Sequence, residues 1–182
     1  VRKMGFFRPV IASSERRDKE LHLMLTRYNL VHTYEEAYAH THEEARRMMA
    51  EGRYDGLLTD IVSKYKELES RCDFVLCEGT DFTRVSSAFE FEFNADVANN
   101  LGSPVLAMVN GRRRSADQVT QAVNVARESF RGQGCSLLAT IVNRVHPDQI
   151  ESLKDRFREK GPNTDPVYVL PDNQILGKPT VG

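Results

Sequence analysis

The sequence has no excess of either charge. Twenty-five Lys and Arg stand against 26 Asp and Glu, a net −1. A general nucleic-acid binder carries a clear basic excess, so no nucleic-acid partner is expected. No apolar run approaches the roughly 20 residues that a membrane-spanning helix needs, so no membrane partner is expected either. Val1-Arg2-Lys3-Met4-Gly5 leads into only a short apolar stretch, which is not a signal-peptide pattern. Cysteine is scarce: Cys72, Cys77 and Cys135 are an odd number with no C-x-x-C pair. That argues against a disulfide framework and a structural zinc site and fits a reducing, cytoplasmic setting. The five histidines, His22, His32, His40, His42 and His146, show no H-E-x-x-H spacing. They read as solvated or partly packed side chains.

What is present is an alternation of two periodicities. The 182 residues suit one α/β domain over residues 1–182, able to bury about 70% of its unfolded surface without staples. Lys3–Val10 reads as a short buried strand ending at Pro9. Glu15–Tyr28 reads as a helix, with Leu21, Met24, Leu25 and Tyr28 at spacings of three and four. Thr41-His42-Glu43-Glu44 is a capping box, opening a helix that Gly52 stops. Over Tyr54–Leu68, Tyr54, Leu57, Leu58, Ile61, Val62, Tyr65 and Leu68 form one stripe. Asp73–Cys77, Val105–Val109, Leu137–Val142 and Val167–Leu170 are short runs apolar on both faces, the pattern of parallel strands covered on both sides. Helices are expected between them: Asn94–Leu101, a Ser115-capped helix to Phe130, and one with Pro147 in its first turn ending at Gly161. Phe89-Glu90-Phe91-Glu92-Phe93 alternates with period two and reads as an edge strand or an extended loop docking three rings, a hydrophobic anchor before the Asn94 helix rather than a ligand-binding surface. The whole predicts a doubly wound, mostly parallel sheet with helices on both faces.

Ligands of open α/β sheets sit beyond the carboxyl ends of the strands. Four positions stand there. Glu78 follows the FVLC strand, where a carboxylate holds a magnesium-bound water in nucleotide-binding folds; alternatively it caps the loop or pairs with Arg84. Gly79 lets backbone approach closely. Arg8, within the first strand, can face an anionic group or pair with Glu78. Asn143, after LLATIV, can read a purine edge or cap the turn. Ala12, Ser13 and Ser14 follow the first strand. After VLAMV come Asn110, Gly111 and the run Arg112-Arg113-Arg114, which reads either as a phosphate-holding loop or as a solvated turn.

The phosphate loop G-x-x-x-x-G-K-[ST] is missing. Gly177-Lys178-Pro179 lacks the upstream glycine, Gly132-Gln133-Gly134 precedes a strand, and no G-x-S-x-G elbow occurs. Either the domain binds no nucleotide, or its first strand and phosphate loop belong to a longer multidomain chain of which this is a fragment.

The stretches FFRPV, DFVLCEGTDF, FEFEFNADVANNLGSPVLAMVNG, ATIVNRV and PVYVLPDNQILGKPTVG, in this order over nearly the whole chain, resemble the amino-terminal domain of the long bacterial phosphate acetyltransferases. That domain is itself similar to dethiobiotin synthetase and the cobyrinic acid synthetases. The resemblance implies a P-loop-type fold and a regulatory, assembly-supporting role without catalytic residues of its own. It implies a homo-oligomer, a downstream acyltransferase domain as partner and a small-metabolite effector. The position like Arg8 is a phosphate-contacting lysine in the synthetases, the position like Glu78 a magnesium-binding acid, and the position like Asn143 an adenine contact. A nucleotide with magnesium is implied only where the phosphate loop is intact. The alternatives are an ATP-dependent carboxylate ligase of the synthetase type and a stand-alone regulatory module of the same fold.

Overall fold

The computed structural model describes residues 3–28, 30–82, 87–158 and 165–173. Two compact units are described by themselves, Val1–Gly102 and Ser103–Gly182.

The first unit is built on a parallel sheet of order β2-β1-β3, with β1 Met4–Ile11, β2 Tyr38–Thr41 and β3 Phe74–Cys77. β1 does not stop at Pro9. The Arg8 N–H donates to the Ala37 carbonyl on the β2 side, so Pro9 faces β3. The last β1–β3 bond is Glu78 N–H to Phe7 O, and the proline, with no N–H, ends that ladder without interrupting the one to β2. Phe6 and Phe7 point to opposite faces. Phe7 joins a cluster with Leu57, Ile61 and Leu68 of helix α3 (Tyr54–Glu69), Ala45 and Met48 of α2 (His42–Ala50), and Phe93 and Val97 of α4 (Ser87–Leu101). Phe6 packs instead with Leu21 of α1 (Lys19–Arg27), Ile11 and Ala37. Helices thus cover both faces, as the two-sided apolar strands predicted.

α2 begins at the expected box: Thr41 Oγ1 accepts from Glu44 N, and the Glu44 carboxylate accepts from Thr41 N. α1 is shorter than its stripe implied, because Asp18 caps it by accepting the Leu21 N–H at 3.0 Å. β2, a YAHT segment with no apolar run, was not anticipated; it exists only as a partner for β1.

The Phe89–Phe93 segment corrects the reading. It is neither strand nor loop but the first half of α4. In a helix Phe89 and Phe93 fall four apart on one side, where both rings meet Phe82, at centroid distances of 5.7 and 5.1 Å. The period-two alternation is real, but packing against Phe82 overrides it.

The second unit carries the parallel sheet β4-β5-β6, with β4 Val105–Asn110, β5 Leu137–Val145 and β6 Val167–Pro171. Helix α5 (Ala116–Gly132) starts at the predicted Ser115–Gln118 capping box. Pro147–Gln149 forms a single 3₁₀ turn leading into α6 (Ile150–Arg158). Val119, Val123 and Leu153 pack onto Val109, Val142 and Val169. The expected helix end at Gly161 and the Gly177-Lys178-Pro179 segment lie outside the described residues.

Helical placement of the aromatic run makes an unequal prediction for its rings. Phe93→Ala, which empties a fully buried site, is expected to lower stability by roughly 3–5 kcal/mol in urea denaturation. Phe91→Ala, on a half-buried side of the helix, is expected to cost clearly less. Equal losses would restore the edge-strand reading, in which the rings share a face.

Candidate functional site

In the first unit the strand-end residues singled out by sequence meet. The β1–β3 ladder pairs Phe7 with Cys77 and continues one step, with the Glu78 N–H donating to Phe7 O at 2.9 Å. That register sets Glu78 beside Arg8, and the Arg8 Nε lies 3.5 Å from Glu78 Oε2. The other end of the guanidinium reaches α1: one terminal nitrogen donates to Asp18 Oδ2 at 2.5 Å and to Glu20 Oε2 at 3.1 Å. Arg8 and Asp18 are nearly closed to solvent, with side chains 11% and 5% exposed, while Glu20 and Glu78 are open. One cation among three carboxylates leaves a formal charge of −2.

The titration of the cluster follows from this geometry. Burial alone would raise the Asp18 carboxyl, but the Arg8 hydrogen bond, the Leu21 N–H and the Arg8 charge overcome it and hold Asp18 below the usual aspartate range. Burial pushes Glu78 the other way, above the usual glutamate range; the Arg8 charge opposes that rise, and Glu20 and Asp18 add to it. Arg8 itself is raised: burial works against its charge, but the Asp18 hydrogen bond and the three carboxylates outweigh it. Burial pushes the neighbouring Cys77 thiol up to about 12, which keeps it from acting as a thiolate nucleophile.

Gly79 and the loop after it are held by Asn94 of α4. The Asn94 Oδ1 accepts from Thr80 N at 2.7 Å, and its Nδ2 donates to Thr80 O at 2.8 Å. A Cβ at Gly79 would stand 3.0 Å from Asn94 Oδ1. The close approach that requires glycine here is to a side chain of the same unit. Ser13 makes a local turn, its Oγ accepting from Glu15 N. Arg84, the alternative partner for Glu78, lies outside the described residues.

As placed, these residues do not fit magnesium or a phosphate. The Arg8 guanidinium stands where a cation beside Glu78 would. Among the described residues no group of three His, Cys, Asp or Glu is set to hold a metal ion. The Arg8 donors face Asp18 and Glu20, and a net −2 repels an anion.

Asn143 lies in the second unit, as the register partner of Asn110. Its Oδ1 accepts the Arg144 N–H at 2.8 Å, and the Asn110 Oδ1 accepts the Arg112 N–H at 3.0 Å. Both amides therefore cap their own turns. The Gly111 N–H donates to Asn143 O, and a Cβ at Gly111 would fall 2.7 Å from Val145 Cγ2. Only glycine lets the two turns close on each other.

Asp18, Glu20 and Asn94 were missed in the sequence. Asp18 is legible as a helix N-cap ahead of an apolar stripe. Glu20 and Asn94 carry no sequence signal for their partners, since 12 and 14 residues separate the contacts.

A family profile described as AAA domain matches residues 1–179. The chain belongs to this family. AAA-domain membership accords with parallel strands and helices on both faces of the first unit's sheet. The chain is 39% identical over its whole length to a protein named phosphate acetyltransferase from Nitratidesulfovibrio vulgaris, of which it covers 27%. Over 87% of its length it is 29% identical to a protein of the same name from Synechocystis sp., covering 23% of that protein. A third, from Nitrosomonas europaea, is 24% identical over 71% of the chain, which covers 18% of it. The chain thus spans about a quarter or less of the curated relatives it matches. No described helix is long and apolar enough to cross a membrane.

Removing the guanidinium should expose the cluster's dependence on it. Arg8→Ala leaves Asp18 buried without its counter-ion, and a loss of about 3 kcal/mol at pH 7 is expected. In the native chain Asp18 titrates below its unfolded value, so its contribution is present above that value and fades as pH falls through the lower folded one. In Arg8→Ala the folded Asp18 should titrate above the unfolded value. The variant then gains stability on acidification from pH 7 to 5 relative to the native chain. Denaturation at both pH values checks this, and a gap that does not narrow at pH 5 would show that Arg8 is not the counter-ion.

Proposed function

We propose that this chain is the amino-terminal, regulatory and assembly domain of a cytoplasmic phosphate acetyltransferase. The parent enzyme would interconvert acetyl-CoA plus phosphate with acetyl phosphate plus CoA, in a downstream acyltransferase domain. This domain would support a homo-oligomer and respond to a small metabolite. The observation that carries the reading is coverage: the whole chain aligns at 39% identity with little more than a quarter of a protein bearing that name. The geometry supports a non-catalytic role. Arg8, beside the end of β3, is engaged by three carboxylates, and burial pushes the Cys77 thiol at that end up to about 12. Among the described residues no nucleophile–base pair is fixed at that edge.

A carboxylate ligase of the synthetase type is less well supported. It needs a cation free to meet phosphate at the Arg8 position, and Arg8 donates to Asp18 and Glu20 instead. A stand-alone regulatory module would share the fold but not the coverage pattern.

The test compares the purified 182-residue chain with the native polypeptide in the same assay, release of CoA thiol from acetyl-CoA on addition of phosphate. The native polypeptide is expected to turn over and the isolated chain to give only the buffer rate. Turnover by the isolated chain would place chemistry in this domain, and an inactive native polypeptide would remove the acyltransferase reading.

A further inference from the structure

The second unit bears a feature that the acyltransferase reading does not use. At the carboxyl ends of β4 and β5 lies a depression of about 290 Å³, lined by Met108, Val109, Asn110, Asn143 and Arg144. The turn that leaves β4 from Asn110 carries Arg112, Arg113 and Arg114 in succession. Four arginines therefore lie on two adjoining turns. Among the described residues one carboxylate answers them, Asp172, whose Oδ2 lies 3.6 Å from Arg112 Nε.

The hydrogen-bonding capacity of the depression has the same sign. Asn110 and Asn143 sit side by side across the β4–β5 ladder. Each spends its amide oxygen on a backbone N–H of its own turn, which also fixes which end of the amide is the oxygen. What the two side chains have left to offer a ligand is chiefly their NH₂ donors. Arg144 adds a planar fork of donors, and no carboxylate lines the depression.

The backbone is unusual at the same place. The two non-glycine residues with positive φ among the described residues are Arg113, at 59°, and Arg144, at 62°. Long side chains rarely adopt this left-handed conformation, and such positions cluster where a ligand is met. Here both are arginines, on neighbouring turns joined by the Gly111 N–H to Asn143 O bond of 2.7 Å.

We propose that this depression binds the phosphate group of a small ligand, held by Arg144 and the two asparagine amides and drawn in by the Arg112–Arg114 turn. Phosphate supplies several acceptor oxygens and two negative charges, which match a pocket of donors and unbalanced cations. Met108 and Val109 leave room for an apolar portion, so a phosphate monoester fits as well as the inorganic ion. The proposal stands on the second unit alone and does not depend on the acyltransferase reading.

Amide NMR of the full chain, titrated with inorganic phosphate and then glycerol 3-phosphate, tests it. Glycerol and potassium chloride at matched ionic strength are the controls. Saturable shifts are expected at residues 110–115 and 143–145, and the tighter of the two phosphates identifies the source of the group. Arg144→Gly removes the guanidinium while relieving the positive φ. It should weaken binding at least tenfold while the Tm stays level or rises, and Arg113→Gly should weaken it from the other turn. Arg131→Gln, which breaks the pair with Asp165 elsewhere in the unit, should leave affinity unchanged. Shifts matched by potassium chloride, no saturation, or native affinity in Arg144→Gly would each overturn the site.

Discussion

Arg8 occupies the middle of a parallel strand and is almost closed to water, so its charge has to be answered from within the fold. Asp18 does most of this, and the same carboxylate caps α1 through the Leu21 N–H. The Asp18 backbone N–H in turn donates to the Tyr34 hydroxyl at 2.7 Å. One aspartate thus ties the strand, the helix that covers one face of the sheet, and the connection leading to β2. Glu78 adds the end of β3 to the same guanidinium. A buried ion pair contributes little net stability compared with an apolar replacement, but breaking it by halves is costly, so it holds the register of these segments together.

That use of charge sets the two strand ends apart. In the first unit the cation of β1 is consumed by three acids, and the edge is left electronegative. In the second unit the turns carry cations that the described residues leave largely unanswered, together with amide donors and two arginines in a left-handed conformation. One edge has the character of a structural joint and the other of a surface shaped for an anion.

Several elements could be read directly from residue order. The capping boxes at Thr41 and Ser115 are local, each acting within three residues, and both form as their side chains dictate. The α3 stripe reflects burial, which a one-dimensional pattern records faithfully, whereas the strands read as apolar on both faces keep Leu106, Met108, Leu138 and Tyr168 exposed. β2 was not legible because YAHT carries no pattern of its own and is a strand only through its partner. The aromatic alternation misled for a related reason: Phe82 lies seven residues before Phe89, and the choice between strand and helix is made by where that ring sits.

The sequence by itself determined the class of fold, the number and type of most elements, the absence of a charge excess or a long apolar span, and the family the chain belongs to. Each of these rests on composition or on spacings of a few residues, where local sterics and burial decide. Only the tertiary structure decided what the site residues do. Arg8, Glu78, Gly79 and Asn143 all stand at or beside strand ends, but their roles depend on Asp18, Glu20, Asn94 and Asn110, which reach them across chain separations that no local pattern encodes. A side chain's chemistry is set by its partners, and partners are chosen by packing in three dimensions.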